Sequence, residues 1–418
     1  MSIVPLHLRR SKEHLKTAAF MLEISQGNSW PLKFPGYVFF WIFQICAEAW
    51  HWYSQCMETI IERKKSMKAK NFNLVGFALA LSALTACGGG EGSGATTAAS
   101  APSAQPAPVV TPVSTASTLV TAVSPSTYAV GSEEAAAFDK LNAERNACGF
   151  GLLAQNANLD VAAKGHANWN VLNGYFGHFQ IAGTPGFTGV TPQERFAKAG
   201  YTVGQGSTVG DESTSVIYSG NKVGFGKVGM VRLLNAPYHL AGLMSGFREV
   251  GFSVLSSDDI AGSALRQVTL QANLAYKDVD QPQLIDGSSV ATYPCEGSTG
   301  INRQLADETP NPVPGRDLSR LPLGSSVYIA VRDGNKLTIT NASLTNLATG
   351  VPVTVRPVLN SDSDPNKVNG QSYFAGHQAF ITADAPMAAN TRYQVVINGT
   401  NNGAAFNRTF IFTTGTGG

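Results

Sequence analysis

The sequence predicts an α+β protein, with helices ahead of strands in one block and strands alone in a second. Three observations predict it. Helical spacing and capping residues run from 132 to 234, strand-like runs follow at 251–274, and short strands broken by Gly, Asn and Pro fill 327–412.

Ser132 is placed to cap a first helix whose opening turn carries Glu133 and Glu134, favourable at the positive end of the helix dipole. Phe138, Leu141 and Arg145 continue it at helical spacing. Asn158 is the expected cap of a second helix, with Leu159, Ala162, Ala163, His166, Trp169 and Asn170 on one stripe and Gly174 as its stop. Thr191-Pro192-Gln193-Glu194 reads as a capping box with Pro at the first helical position, and Gly200 ends that helix. A fourth helix is expected over Val228 to Leu234. Strands are expected at 251–255 and 266–274, then at 327–331, 336–340, 351–355, 393–397 and 408–412. The regular spacing of the last five favours a small sandwich.

Composition narrows the function. Of 418 residues, 43% are hydrophobic and 14% charged, below the ~25% charged of an average soluble domain. A disordered chain or a coiled coil would be richer in charge. The 30 basic and 28 acidic residues leave a net charge of +2, without the basic bias of a nucleic-acid binder.

Met67-Lys68-Ala69-Lys70 followed by the apolar run Leu74 to Ala86 has the layout of a secretory signal peptide. The run is too short for the ~20 residues of a membrane-spanning helix. It ends in Leu84-Thr85-Ala86-Cys87 and three glycines, and this resembles the lipobox of bacterial lipoproteins, which implies that Cys87 is lipidated and holds the chain to a membrane. Residues 1–66 then read as an upstream extension foreign to the working protein; the alternative is a membrane-associated amphipathic stretch around Tyr37 to Phe43. Residues 1–86 carry 10 Lys/Arg and 5 Asp/Glu, so the chain from Cys87 has 20 basic and 23 acidic residues and a net charge of −3.

The expected organisation is 1–66 extension, 67–86 signal peptide, 87–130 lipidated Cys and a Gly/Ser/Ala/Pro tether, 131–305 first domain, 306–321 linker, and 322–418 second domain. The tether is too poor in apolar residues to offset its own ordering. The location predicted is the cell envelope, at the outer membrane in a Gram-negative cell, because Gly88 stands where an Asp would retain a lipoprotein at the inner one. Cys148 and Cys295 remain after Cys87, and in an oxidising compartment they are expected to pair.

Four His fall after Cys87. His166 shares the apolar stripe of the second helix and reads as buried and structural. His377 sits in a Gly-His-Gln turn and is expected to be exposed. His178 lies in a loop, where a side chain is free to face a cleft, and His239 opens a short helical turn after Ala236-Pro237-Tyr238. Gly224-Phe-Gly226-Lys-Val-Gly229 fits GxGxxG with Glu249 downstream, but a nucleotide cofactor makes little sense beyond an export signal. No HExxH, GxSxG or CxxC is present, which removes the common zinc-protease, esterase and thioredoxin readings.

The landmarks of the first domain, taken together, resemble the CAP superfamily, the cysteine-rich secretory, antigen 5 and pathogenesis-related-1 proteins, also called SCP domains. They are Asn142-Ala-Glu-Arg145, Leu159…Ala163-Lys-Gly-His166-Ala167, Gly177-His178, Arg195-Phe-Ala-Lys-Ala-Gly-Tyr201, Gly210-Asp-Glu-Ser213, Ala236-Pro-Tyr-His239-Leu-Ala-Gly-Leu-Met244 and Val250-Gly-Phe252. Their order and spacing agree across about 120 residues. The last strands, Tyr393-x-Val-x-Ile-x-Gly399 and Phe406-x-x-Thr-Phe-x-Phe-x-Thr-Gly415, resemble a bacterial immunoglobulin-like domain.

The first resemblance implies an α-β-α sandwich with a cleft lined by two His and two acids. Carried onto this chain, those are His178, Glu212 and His239. The second acid is missing, since 213–237 contains no Asp or Glu, so the cleft is expected to be a triad; Asp211 is an alternative to Glu212. Two imidazoles and a carboxylate also make a workable divalent-metal site, with zinc the plausible ion. The function expected is a lipid-anchored envelope protein holding a small ligand, a metal or an apolar surface partner in that cleft, with no nucleic acid. One alternative is a metal-assisted hydrolase with Glu212 as ligand or base; another is an adhesion module acting through the immunoglobulin-like end.

Overall fold

A computed structural model describes residues 115–204, 208–277 and 281–417. The expected signal peptide, Cys87 and the expected extension lie outside the described residues. The described residues belong to one unit, built as α+β around three four-stranded sheets. Among the described residues no helix is long and apolar enough to cross a membrane.

In chain order the elements are α1 (Glu133–Ala147), β1 (Ala154–Gln155), α2 (Ala157–Asn173), α3 (Pro192–Lys198), β2 (Gly210–Ile217), α4 (Phe225–Leu233), α5 (Pro237–Met244), β3 (Glu249–Ser256) and β4 (Gln267–Ala275). There follow β5 (Ala291–Tyr293), β6 (Ser326–Ala330), β7 (Leu337–Asn346), β8 (Pro352–Val353), β9 (Leu359–Asn360), β10 (Gln378–Thr382), β11 (Arg392–Asn401) and β12 (Ala404–Thr413).

The first sheet has the order β1-β3-β4-β2, so β2 is an edge strand. Successive strand residues face opposite sides. Val250, Phe252 and Val254 of β3, with Leu270, Ala272 and Leu274 of β4, join a core with Phe138, Leu141, Met230, Leu240 and Leu243 of α1, α4 and α5. On the other side Ala275 packs with Leu159, Ala162 and Phe196 of α2 and α3. Helices therefore cover both faces. The approach of α2 is close: a Cβ on Gly251 would lie 2.2 Å from Asp160 N and Leu159 C.

The caps follow the residue chemistry. Ser132 Oγ accepts from Ala135 N–H, and Gly174 ends α2 in the left-handed region (φ 60°). Asn156, not Asn158, caps α2, its Oδ1 taking the N–H of 158 and 159; Asn158 is already inside the helix and donates to Gly200 O. Glu194 reaches back to Val190 N–H, one residue before the cap that a capping box would take. The GxGxxG amides are occupied from within, since Gly224 and Gly226 N–H both donate to the Glu133 carboxylate at 2.7 Å.

Arg145 is fully buried and donates to the carbonyls of Phe150, Gly151, Leu243 and Ser245. Asn142 exchanges two 2.9 Å hydrogen bonds with the backbone of Leu153. This pair ties the end of α1 to the following loop and to the end of α5.

The other two sheets have orders β5-β6-β10-β9 and β12-β11-β7-β8. Ala291–Tyr293, from the stretch read as the first domain, pairs antiparallel with β6 of the second. The blocks meet directly: Phe150 stacks on Tyr328 at 5.7 Å. Residues 306–321, read as a linker, contribute Leu318 to a small core with Ala236, Leu305 and Leu323. Cys148, at the end of α1, is bonded to Cys295 just beyond β5, as expected from the sequence, with Cα atoms 5.4 Å apart and a separation of 147 positions along the chain.

Two outcomes follow from this packing. The unfolded, non-reduced protein should protect Cys148 and Cys295 from iodoacetamide, and Cys148→Ser should cost roughly 4–5 kcal/mol in a denaturant titration if the closed loop acts through chain entropy. Gly251→Ala should cost about 1–3 kcal/mol by overpacking, read as a lower melting temperature.

Candidate functional site

Five titratable side chains meet beside the edge strand β2. His178 comes from the loop after α2. That loop is pinned by a buried neighbour, His166, whose Nε2 lies 2.9 Å from Gly177 O and whose Nδ1 lies 3.0 Å from Gln180 Nε2. Burial pulls His166 down to about 4, so it is neutral, donates from Nε2 and accepts at Nδ1. His166 is structural, as its place on the helix stripe suggests.

Asp211 and Glu212 are consecutive on β2 and so project to opposite faces. Asp211 is buried on one side, where it accepts from Arg195 Nη2 (2.9 Å) and Gln271 Nε2 (2.8 Å) and holds His178 Nδ1 at 3.0 Å. Arg195 Nη1 also donates to His178 O at 2.9 Å, so one guanidinium fixes both members of the pair. Glu212 lies on the other side against α5, where a Cβ on Gly242 would come within 2.0 Å of its Oε1. Only a glycine on that turn of α5 leaves room for the carboxylate.

His239 is in the first turn of α5, with its ring centroid 6.5 Å from that of His178. The residue that sequence reasoning missed is Glu308. Its side chain is fully buried, and Oε1 accepts Tyr238 N–H at 2.7 Å and lies 3.5 Å from His239 Nδ1. His239 Nδ1 and Glu308 Oε2 are buried without a hydrogen-bond partner. The expected triad is therefore a larger group, in which Asp211 joins Glu212 and Glu308 supplies the acid absent from 213–237. Glu308 follows Asp307 at the head of a Pro-rich stretch, and that composition reads as a linker; being an acid just before the prolines was its only signal.

Charge and burial set the protonation states. Burial pulls His178 down, but the Asp211 carboxylate at Nδ1, with Glu212, outweighs it and raises the net value. His239 is treated the same way, burial lowering it and Glu308 and Glu212 raising it further. Asp211 is held below the usual carboxylate range, because His178 and Arg195 overcome its burial. Burial pushes Glu308 up. Glu212 is pushed up to about 7, by burial first and then by Asp211 and Glu308, against the pull of the two His. A carboxyl that titrates near neutrality beside two imidazoles can donate and accept hydrogen bonds, and can move a proton.

Two cavities meet at His178. One, of about 510 Å³, is lined by Asp211, Glu212, Tyr238 and Gly242 and reaches Asp333, Tyr373 and His377 of the second block. The other, of about 370 Å³, is lined by Arg232, His239, Asp307 and Glu308. The expected set of His178, Glu212 and His239 does not close on a common ion position: among the described residues, no group of three or more His, Cys, Asp or Glu side chains is arranged to hold a metal. His377 is not the exposed side chain its turn suggested. It is 15% exposed, and its Nδ1 pairs with Asp333 Oδ1 at 3.0 Å.

No family model and no curated protein matches the chain. A solved structure of an extracellular protein containing an SCP domain, from Bacillus anthracis str. Ames, is similar at 20% identity and a TM-score of 0.26, over 35% of this chain and 40% of that one.

A carboxyl whose pKa is higher folded than unfolded binds its proton more tightly in the native state, so stability falls as pH rises through the window between the two values. For Glu212 that window runs from 4.5 to about 7. Glu212→Gln should remove this slope, of order 1–3 kcal/mol across the window, in urea titrations at successive pH values.

Proposed function

We propose that the chain is an exported CAP/SCP-type protein, anchored through a lipidated Cys87, that binds a small polar ligand in the cleft of His178, Glu212 and His239. One observation carries this reading: two histidines and three carboxylates from four segments of the chain gather around His178, where two cavities open. Export is supported by the signal-like segment before Cys87 and by the Cys148–Cys295 bond. The CAP type rests on the ordered landmarks from Asn142 to Phe252, on the roles of Arg195 and Asp211 in holding His178, and on helices covering both faces of the first sheet. The immunoglobulin-like reading of the last block rests on its closing strand pattern and its two antiparallel sheets.

Binding is derived from the chain's own groups. His178, oriented by Asp211, presents the cavity with a ring that donates when charged. Glu212 changes between donor and acceptor around neutral pH, and His239 is held by Glu308. Such a site selects ligands with matched hydroxyl or amide groups, since a mismatched one leaves a buried polar atom unpaired. A hydrolase using the same groups would place Glu212 as the base.

Thermal-shift screening of polar small molecules against the chain should yield hits that His178→Ala and His239→Ala weaken about 10- to 100-fold, the cost of one or two lost hydrogen bonds. A screen in which wild type and variants respond alike contradicts the reading, and turnover of a hit that Glu212→Gln abolishes moves the protein to the hydrolase. Palmitate labelling of wild type, lost in Cys87→Ser, is the outcome expected for the anchor.

A further inference from the structure

The larger cavity is walled on one side by the second block. Tyr238, next to His239, stacks on Phe374 at 4.8 Å and 18° and meets the edge of Tyr373 at 5.4 Å and 79°. Its hydroxyl donates to Asp364 at 2.8 Å and accepts from Asn366 at 2.7 Å. Tyr373 is held there with 55% of its surface exposed. Beyond it stands the His377–Asp333 pair, so the cavity has one histidine–carboxylate pair from each block, with tyrosines including Tyr276 along its wall.

Resting on the cleft reading above, we propose that this cavity is an extended site for a neutral oligosaccharide, with the second block supplying a subsite formed by Tyr373, His377 and Asp333. The lining chemistry selects the class. Among the described lining residues there is no Lys or Arg to hold an anion. Each of Asp211 and Asp333 already faces a histidine, so neither is an unpaired anion awaiting a cation. What remains is a set of donors and acceptors, the Glu212 carboxyl among them, set among amphipathic aromatic side chains. A sugar presents the complement: hydroxyls for the imidazole and carboxylate groups, and an apolar ring face for tyrosine. A volume of about 510 Å³ falls within the ~300–1,000 Å³ of small-molecule sites. Nothing in the sequence places Tyr373 near His178; the docking of Tyr238 does.

The test is saturation-transfer NMR and calorimetry of the full chain in detergent with tri- and tetrasaccharides of glucose, mannose and N-acetylglucosamine. At least one should bind, and Tyr373→Ala and Asp333→Asn should each weaken it about ten-fold. Tyr373 is exposed, so its variant should keep the wild-type melting temperature. Binding that only His178→Ala or Glu212→Gln weakens overturns the second-block subsite and leaves the cleft reading standing. Binding by none of the saccharides, or displacement of a bound one by a lysine-rich peptide, overturns the assignment to neutral sugars, while the cleft reading is decided by its own screen.

Discussion

The carboxylate of Glu308 is buried against the first turn of α5, and the geometry of the cleft depends on it. An isolated buried carboxylate is costly, so a protein keeps one only with partners. Here the partners are Tyr238 N–H at 2.7 Å and the His239 imidazole at 3.5 Å, both at the positive end of a helix. The compensation is incomplete, since Glu308 Oε2 has no hydrogen bond and His239 Nδ1 meets Oε1 only at ion-pair distance. Glu308 is held there by what surrounds it. It fixes His239 and, through Tyr238, the aromatic contact that brings Tyr373 to the cavity wall. A segment that composition marks as a connection therefore helps to build the site.

The other half of the cleft depends on a strand at a sheet edge. A central strand could not send Asp211 to one face and Glu212 to the other and still have both serve one opening. On β2 both can: Asp211 holds His178 with Arg195 from the α3 side, and Glu212 fills the space left by Gly242 on the α5 side. The two carboxylates consequently differ in state. Asp211 meets the Arg195 guanidinium and the His178 ring and is held below the usual carboxylate range, whereas Glu212 is dominated by burial and titrates near neutrality. Adjacent residues of like type thus perform different tasks because their environments differ.

Much of the first block was legible because its signals are local. Ser132, Gly174, Thr191 and Gly200 each act within one turn of chain, and their roles follow from the residue type. Asn156 and Asn158 are both good caps two residues apart, and only the backbone at 156, extended where a cap requires it, separates them. β2 escaped because Gly-Asp-Glu-Ser-Thr-Ser has no apolar alternation: as a cleft wall it exchanges a hydrophobic face for a polar one. β10 and the half of β7 beyond 340 escaped for related reasons of short or polar runs. Glu308 and His377 were misjudged for another reason. Both sit in turn-rich sequence that reads as exposed, and each is covered by a partner distant in the chain, His239 for one and Asp333 for the other. Long-range partners of this kind leave no trace in local composition.

The most direct measurement of the account is the titration of the histidine ring protons by NMR in wild type and Glu308→Gln. Glutamine keeps the shape of Glu308 and removes its charge, so burial should then dominate His239. The His239 midpoint should fall on substitution while that of His178, held by Asp211, shifts much less. An unchanged His239 midpoint would contradict it, because Glu308 would then not be the group that sets the state of the cleft.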